Sequence, residues 1–238
     1  MLNSKKILAI IPARGGSKGV KLKNIRKLGG VPLITIVANV IKEIPFIDRA
    51  VVSTDHKEIA AVALKSGLDV PFYRPEHLSG DRISDIDVLT HALIEMEKRD
   101  NTIYEIILML QPTSPSRTSK HIADSINLLV KSSADSVWTL SETDTKGHPY
   151  KQLLINNGEI EYYDEAAKNI IARQQLKPTY HKNGVAYVMT RDCILNLKSI
   201  KGHKCCSLVI DDYVVNIDTE LDIEFAEFLL QKKNRNKI

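Results

Sequence analysis

The strongest constraint on the fold is an apolar run near the start of the chain that leads directly into a loop of glycines and cations. Residues 7–11 read ILAII. A strand made only of Ile, Leu and Ala is typical of a parallel sheet that is covered on both faces. Pro12 ends the hydrogen-bonded ladder because it has no N–H group to donate. The run therefore predicts the first strand of an α/β fold.

The loop that follows has the composition of a polyphosphate-binding site. Gly15, Gly16 and Gly19 are expected to take positive φ angles and to let the backbone approach a ligand closely. The cations of the loop are Arg14, Lys18, Lys21, Lys23 and Arg26. The loop matches neither the Walker A motif nor the dinucleotide-binding fingerprint. On composition alone, an ordinary solvated turn is the alternative, and Lys21 and Arg26 fit solvated side chains equally well.

Seven segments, spread over nearly the whole chain, resemble the CMP-sialic acid synthetases, also called N-acylneuraminate cytidylyltransferases, a family that includes the CMP-legionaminic and CMP-pseudaminic acid synthetases. In the loop, the matching residues are Ala13, Arg14, Gly16, Ser17, Lys18, Gly19, Lys23 and Asn24. The other segments are STD at 53–55, RP at 74–75, LQPTSPSR at 110–117, RQQL at 173–176, NGVAY at 183–187 and IDTELD at 217–222. The match is specific because all seven segments occur in the same order as in that family.

The resemblance implies both an activity and a fold. The implied activity is that of a nucleotidyltransferase that transfers CMP from CTP to the anomeric hydroxyl of a nine-carbon α-keto acid sugar and releases pyrophosphate. The implied fold is a doubly wound, mostly parallel α/β sheet of the nucleotide-diphospho-sugar transferase type. A CMP-Kdo synthetase and a non-catalytic nucleotide-binding module are the alternatives.

For CTP, the resemblance implies contacts from the loop and from two later segments. Arg14, Lys18 and Lys23 are assigned the catalytic task of neutralising the charge that develops on the phosphates. The full set of expected nucleotide contacts is Ala13, Arg14, Gly15, Gly16, Ser17, Lys18, Lys23, Asn24, Arg74, Ser84 and Asp85.

One of these segments departs from the family pattern. The family often has serines two and four positions beyond the residue that corresponds to Asp81. This chain has Ile83 and Asp85 there, with Ser84 between them. It stays open whether side chains or the backbone of this segment make the nucleotide contacts.

For the acceptor sugar, the resemblance implies a fourth catalytic residue, Arg173, because a guanidinium can hold a carboxylate through two hydrogen bonds. The expected acceptor contacts are Gln111, Thr113, Lys151, Arg173, Gln174, Asn183 and Tyr187. Gln111 and Tyr187 fit structural roles as well, and Tyr180 is expected to be a core aromatic.

For the metal, the resemblance implies that Asp218 holds Mg²⁺, with Mn²⁺ as an alternative ion. Bacterial sialic acid enzymes commonly read Asp-Ile-Asp-Thr at this point, whereas this chain has Asn216 in the first position. An amide offers an oxygen but no charge. Asp218 is expected to carry the metal nearly alone, and assistance from Asp211 and Asp212 is the alternative.

Composition and charge limit the classes of partner that the protein is expected to have. The net charge is only +4, and the basic residues are spread along the chain, which indicates no nucleic-acid surface. Three cysteines without paired spacing, and histidines without an HxxxH pattern, indicate neither a disulfide framework nor a zinc site. The first apolar stretch, of about five residues, is too short for a signal peptide or a membrane span. We expect a cytoplasmic protein with no membrane partner.

The chain alternates predicted strands and helices up to about residue 140 and then changes character. Strands are predicted at 7–11, 49–54, 69–73, 105–110, 135–140, 184–190, 207–210 and 213–217, and helices from 32, at 56–66, 83–98, 120–131 and 219–232. Between them, residues 151–163 have the pattern of a β-hairpin with a turn at Asn156, Asn157 and Gly158. We expect a single domain over 1–238, with an excursion over 141–182 that the resemblance assigns to a homodimer contact. A basic tail after Gln231 is expected to fray.

Overall fold

The centre of the protein is a six-stranded sheet with helices on both faces. The computed structural model describes residue 2 and residues 4–235, and side chains up to residue 232. The strands are β1 (Ile7–Pro12), β2 (Lys27–Leu28), β3 (Val31–Pro32), β4 (Arg49–Ser53), β5 (Ile106–Met109), β6 (Ser136–Glu142), β7 (Leu153–Asn156), β8 (Glu159–Tyr162), β9 (Tyr180–Thr190) and β10 (Cys205–Val209). The helices are α1 (Leu33–Lys42), α2 (Lys57–Lys65), α3 (Asp85–Asp100), α4 (Ser119–Ser132), α5 (Arg191–Leu195) and α6 (Glu220–Arg235).

The strand order in this sheet is β10-β6-β9-β5-β1-β4. The pairs β1 with β4, β1 with β5 and β10 with β6 are parallel, whereas β9 runs antiparallel to both of its neighbours. The predicted doubly wound, mostly parallel sheet is therefore confirmed. Because β9 is reversed, its first residues lie at the same edge of the sheet as the last residues of β1 and β5.

Strand β1 is apolar throughout because it is buried on both faces. Ile7, Ala9 and Ile11 belong to the cluster that includes side chains of α1, α2 and α4. Leu8 and Ile10 belong to the opposite cluster, with side chains of α3 and α5. The expectation from the ILAII run is confirmed, and the strand extends one residue further, to Pro12.

Two predicted strands are wrong. Over residues 69–73, only Asp69 forms an isolated bridge, to Val51, and Pro71 two residues later cannot donate to a ladder. Residues 213–217 form no strand either. Val215 and Ile217 instead pack in a third apolar cluster with residues of β2, α1 and α6, and the Ile217 amide donates to the Thr113 carbonyl at 2.8 Å.

The predicted hairpin is confirmed as a separate two-stranded sheet of β7 and β8. Asn157 and Gly158 in its turn have φ angles of 51° and 87°, as a two-residue hairpin turn requires. The excursion leaves the main sheet after Glu142 and returns at Tyr180, and these two residues pair. Tyr180 is half exposed rather than buried in the core. The dimer contact and the domain limits stay predictions.

The last helix, α6, begins with a capping pair formed by Thr219 and Asp222. The Asp222 amide donates to Thr219 Oγ1 at 3.3 Å, and the Thr219 amide donates to Asp222 Oδ2 at 2.7 Å. The helix continues to Arg235, so the tail does not fray at Gln231, and residues 236–238 lie outside the described part. Among described residues, none of the helices is long and apolar enough to cross a membrane. The cytoplasmic location stays a prediction.

Substitutions at two neighbouring residues of α3 test which face of this helix packs against the sheet. Leu93 is fully buried in the cluster beneath β1, whereas Ile94 is half exposed on the next position of the same helix. We expect Leu93→Ala to lower the free energy of unfolding by about 2–5 kcal/mol, because it removes buried methyl groups and leaves a cavity. Chemical denaturation followed by circular dichroism measures this.

The matched control is Ile94→Ala, which should change the free energy of unfolding by less than about 0.5 kcal/mol. Equal losses for the two variants would contradict the assignment of faces.

Candidate active site

A cavity of about 500 Å³ opens where the ends of β1 and β5 meet the start of β9. This is the edge at which open α/β sheets bind ligands. Most of the residues that the sequence singled out line it: Arg14, Ser17, Lys18, Lys23, Asn24, Arg74, Asp85, Gln111, Thr113, Tyr187 and Asp218. The fold thus brings together residues that are up to about 200 positions apart in the chain.

The glycine loop, residues 13–24, is held in shape by contacts to its own backbone. The Gly15 amide donates to Asp55 Oδ1 at 2.8 Å, and the Asn24 side chain donates to the Arg14 carbonyl at 2.9 Å. The expected positive φ angles at the three glycines are wrong, since none has one. Close approach explains two of them. A Cβ at Gly15 would lie 2.7 Å from His56, and one at Gly19 would lie 2.2 Å from the Asp218 carbonyl oxygen.

Two cations of the loop share one carboxylate. Arg14 Nη1 lies 2.9 Å from Asp81 Oδ1, and Lys18 Nζ contacts the other oxygen of Asp81. The hydrogen bond from Lys18 holds the pKa of Asp81 below its usual value. Asp81 therefore occupies the position of an anion between these cations, and an incoming phosphate would compete with it for both.

Arg74 is a buried cation at the end of β4. Its Nε donates to Ser53 Oγ at 3.0 Å and its Nη2 donates to the Ser53 carbonyl at 2.6 Å. Burial lowers its pKa to about 10, which leaves the guanidinium charged at neutral pH. The side chain is thus fixed in one direction with part of its donor set facing the cavity.

At the start of α3, the two predicted residues are placed differently. Ser84 caps the helix: its Oγ accepts from the Asp87 amide at 3.3 Å and donates to Asp87 Oδ2 at 2.6 Å. Asp85 is half buried and lines the cavity. Burial raises the pKa of Asp85, while the charges of Lys182 and Arg74 oppose the rise. Asp85 rather than Ser84 thus lines the cavity.

The far wall of the cavity is built around Gly184. This residue has a φ of 70°, and a Cβ there would lie 2.4 Å from Ser114 Oγ and 3.2 Å from Gln111 Oε1. The buried Arg117 donates to the carbonyls of Gln111 and Gly184 and so links the two strands that form the wall. Burial lowers the pKa of Arg117 to about 9.

Asn183 is buried and its side chain serves the sheet. Its Oδ1 accepts from Thr139 Oγ1 at 2.6 Å and from the Val185 amide at 3.2 Å, and its Nδ2 donates to Ser141 Oγ at 3.1 Å. These bonds support the irregularity in the β6–β9 pairing. The structure therefore places Asn183 behind the cavity and Tyr187 in its lining.

Asp218 stands at the entrance of the cavity and is mostly exposed. Its Oδ1 lies 2.7 Å from Lys23 Nζ. The side-chain oxygen of Asn216 accepts from Ser114 Oγ at 2.6 Å and is thus already engaged. Asp212 lies toward His121 instead, at 3.8 Å. Mg²⁺ commonly takes one or two carboxylates together with phosphate oxygens, so Asp218 beside the glycine loop fits that ion.

No group of three or more His, Cys, Asp or Glu side chains among the described residues could hold a metal by itself. A metal at Asp218 would therefore depend on oxygen ligands from a bound phosphate or from water.

The remaining predicted residues do not line the cavity. Ala13 and Gly15 hold the loop through backbone hydrogen bonds to Ser53 and Asp55. A Cβ at Gly16 would meet nothing within 4 Å. Lys151, Arg173 and Gln174 lie exposed on the excursion. Two charged lining residues, Asp81 and Lys182, were not among the sequence candidates. Asp81 served only as the reference position for the residues that follow it, and Lys182 belongs to none of the matching segments. Gly184 and Arg117 were also not candidates, but they lie in two of the segments that carry the resemblance, NGVAY and LQPTSPSR.

The fold and the cationic cavity define a nucleotidyltransferase. The sequence profile of the family described as "Cytidylyltransferase" matches residues 8–235, so the chain belongs to that family. The chain is 33% identical over 230 residues to the CMP-N,N'-diacetyllegionaminic acid synthase of Campylobacter jejuni, covering 96% of both. It is 30% identical over 238 residues to the N-acylneuraminate cytidylyltransferase of Escherichia coli, covering 98% of this chain and 54% of that protein. These findings confirm the resemblance stated from the motifs.

Among solved structures, a CMP-2-keto-3-deoxy-manno-octonic acid synthetase complexed with CTP is similar, with a TM-score of 0.73. The match covers 96% of this chain and 100% of that chain at 14% identity. At this identity the likeness shows the fold alone, and it confirms the nucleotidyltransferase-like architecture.

The half-buried Asp85 gives a pH-dependent stability prediction. Its pKa is raised in the folded state, so ionisation at neutral pH destabilises the fold, whereas below the unfolded pKa of about 3.9 the carboxyl is protonated in both states. We expect Asp85→Asn to be more stable than wild type at neutral pH. The difference should shrink as the pH falls through the raised pKa and vanish below about pH 3.9. Thermal melts across pH measure it.

The control is Asp87→Asn, on the same helical turn but exposed. Asp87 interacts favourably with the helix N-terminus and with Ser84, so its loss should destabilise the protein by about 0.3–1 kcal/mol. A destabilised Asp85→Asn at neutral pH would show that the helix dipole outweighs desolvation at Asp85 too.

Proposed function

We propose that this protein is a CMP-nonulosonate synthetase, which transfers CMP from CTP to the anomeric hydroxyl of a nine-carbon α-keto acid sugar and releases pyrophosphate. The observation that carries the proposal is one cavity with two unlike sides. The glycine loop with Arg14 and Lys18 bounds one side, and a polar wall with Gln111 and Tyr187 bounds the other. The relatives named as CMP-legionaminic and N-acylneuraminate enzymes support this substrate class.

In the reaction, the anomeric oxygen forms a bond to the α-phosphorus of CTP while the bond to the pyrophosphate breaks. Negative charge grows on the departing pyrophosphate. Arg14, Lys18 and Lys23, which line the cavity, would neutralise this charge. Gln111 and Tyr187 would orient the sugar, since restricting the reacting hydroxyl to one direction lowers the barrier. The protein's role is thus positioning and charge neutralisation.

We propose that Asp218 holds Mg²⁺, which when bound supplies further positive charge to the triphosphate. Lys23 would then leave Asp218 and contact phosphate instead. Asn216 would remain with Ser114 and support Gly184 rather than ligate the ion.

The deciding test is pyrophosphate release from CTP and Mg²⁺ with a panel of keto acids. The panel contains N-acetylneuraminic, N,N'-diacetyllegionaminic and pseudaminic acids and, for the rival function, the eight-carbon Kdo. We expect release with at least one nine-carbon acid and much less with Kdo. Release with Kdo alone would favour the CMP-Kdo synthetase alternative, and no release with any acid would leave only a nucleotide-binding module.

Arg14→Ala is the inactive control for this assay. We expect turnover to fall on the order of 100- to 1,000-fold, because one charge contact to the developing pyrophosphate is lost. Arg26→Ala is the matched variant, since Arg26 pairs with Glu220 and lies outside the cavity. Its turnover should stay within about twofold of wild type.

We also propose that the excursion, through which Arg173 reaches the acceptor, makes a homodimer contact. The excursion exposes a set of apolar side chains that includes Leu153, Ile155, Ile160 and Ile171, the last of them 94% exposed. Arg173 does not line the cavity of its own subunit. A two-fold symmetric contact would cover the apolar residues and bring Arg173 to the partner's cavity.

Mixing two inactive variants tests this arrangement. In a mixed dimer of Arg14→Ala and Arg173→Ala subunits, one cavity has an intact loop and receives an intact Arg173 from the other subunit. We expect equal mixing after unfolding and refolding to restore about a quarter of wild-type activity. Assays of the separate and mixed variants measure this. No recovery, with dimers confirmed by light scattering, would place Arg173 in its own subunit's site.

A further inference from the structure

Lys182, near the start of β9, is a cation of the cavity that no motif explains. It is exposed at the cavity wall. Its Nζ lies over the ring of Trp138, 5.5 Å from the ring centroid. Trp138 is itself held by a hydrogen bond from its Nε1 to the Ile200 carbonyl at 2.9 Å and by an edge contact with Tyr187. The aromatic face therefore favours one position for the ammonium group.

The other lysines and Arg14 in this cavity are already paired, but Lys182 is not. Arg14 and Lys18 share Asp81, and Lys23 pairs with Asp218. Within the described part of the chain, Lys182 has no carboxylate at ion-pair distance. Its charge acts on Asp85 only from a greater distance. The ammonium group thus retains hydrogen-bond donors for a ligand.

The order of strands places Lys182 away from the phosphate-binding side. Along the edge of the sheet, the glycine loop follows β1, Gln111 follows β5, and Lys182 belongs to β9 beyond it. Neighbouring strands are about 4.8 Å apart, so β9 lies about 10 Å from β1. A triphosphate on the glycine loop would leave Lys182 facing the second substrate. The second substrate of the proposed reaction is a keto acid, and its acidic group is a carboxylate, which an ammonium group can bind.

We propose that Lys182 binds the carboxylate of the keto acid acceptor, from the same subunit that binds CTP. This inference rests on the proposed function, and it adds an acceptor-binding residue to the cavity that is independent of the excursion. The ammonium group donates to a carboxylate oxygen while Trp138 supports it from below. Gln111 and Tyr187 on the same wall are then available to the neutral groups of the sugar.

Trp138 makes the proposal measurable without turnover, because it is the single tryptophan of the chain. The protein is saturated with CDP and Mg²⁺, a nucleotide with no pyrophosphate to release, and titrated with N-acetylneuraminic acid while tryptophan fluorescence is recorded. A carboxylate that engages Lys182 changes the electrostatic environment of the ring beneath it. We expect a saturable change in wild type.

In Lys182→Ala, we expect the dissociation constant for the acid to rise about tenfold or more, since one charged hydrogen bond is lost. Lys182→Arg should restore part of the affinity. The control Lys120→Ala, on the solvent side of α4, should match wild type.

A second titration uses the C1 methyl ester of the same acid, which has no carboxylate. Wild type should bind the ester about tenfold more weakly than the acid, and this preference should be much smaller in Lys182→Ala, with Arg173 supplying what remains.

A wild type without a fluorescence response, a Lys182→Ala variant within twofold of wild type, or an undiminished preference for acid over ester in that variant would each overturn the proposal. A normal fluorescence response without pyrophosphate release from CTP would instead refute the proposed function and leave the carboxylate contact standing.

Discussion

The burial of β1 on both faces is the constraint on which the rest of the molecule depends. A strand covered by helices on two sides has only its end open to solvent, so the chain must form its loop there. Because β5 runs parallel to β1, Gln111 emerges at that same edge. Arg74 is held there by its hydrogen bonds to Ser53, the last residue of the parallel strand β4. The reversed β9 adds Lys182 and Gly184 from its first half. The position of the cavity is thus a consequence of strand direction.

Charge balance is the second constraint. Under the proposed function, Arg14, Lys18 and Lys23 receive a triphosphate, and such cations repel one another before it arrives. In the structure, Asp81 compensates Arg14 and Lys18, and Asp218 compensates Lys23. The proposed function requires each of these pairs to exchange for phosphate or metal. Arg117 differs, because it is buried, has no ion-pair partner among the described residues and is held by the two carbonyls that it links. Exchangeable pairs therefore surround the ligand space, and a permanent contact supports its wall.

The places where prediction failed share a physical cause. Residues 69–73 have a strand-like composition, but Pro71 removes a donor that pairing would need. Gly15 and Gly19 were expected to have positive φ angles. In the structure, their lack of a side chain instead allows the backbone to approach His56 and Asp218 closely. Asn183 lies in a motif beside the cavity, yet its amide completes the hydrogen bonds of a strand irregularity. Such roles depend on neighbours distant in the chain.

The sequence by itself determined the alternation of strands and helices, the hairpin, the glycine loop and the family, because these depend on local composition and on motif order. Only the tertiary structure decided which side chains meet. It joined Asp81 to the loop cations, turned Ser84 into a helix cap, engaged Asn216 with Ser114 and set Lys182 on Trp138 within the cavity. Those contacts join segments whose separation in space follows from strand order, which no local pattern of residues encodes.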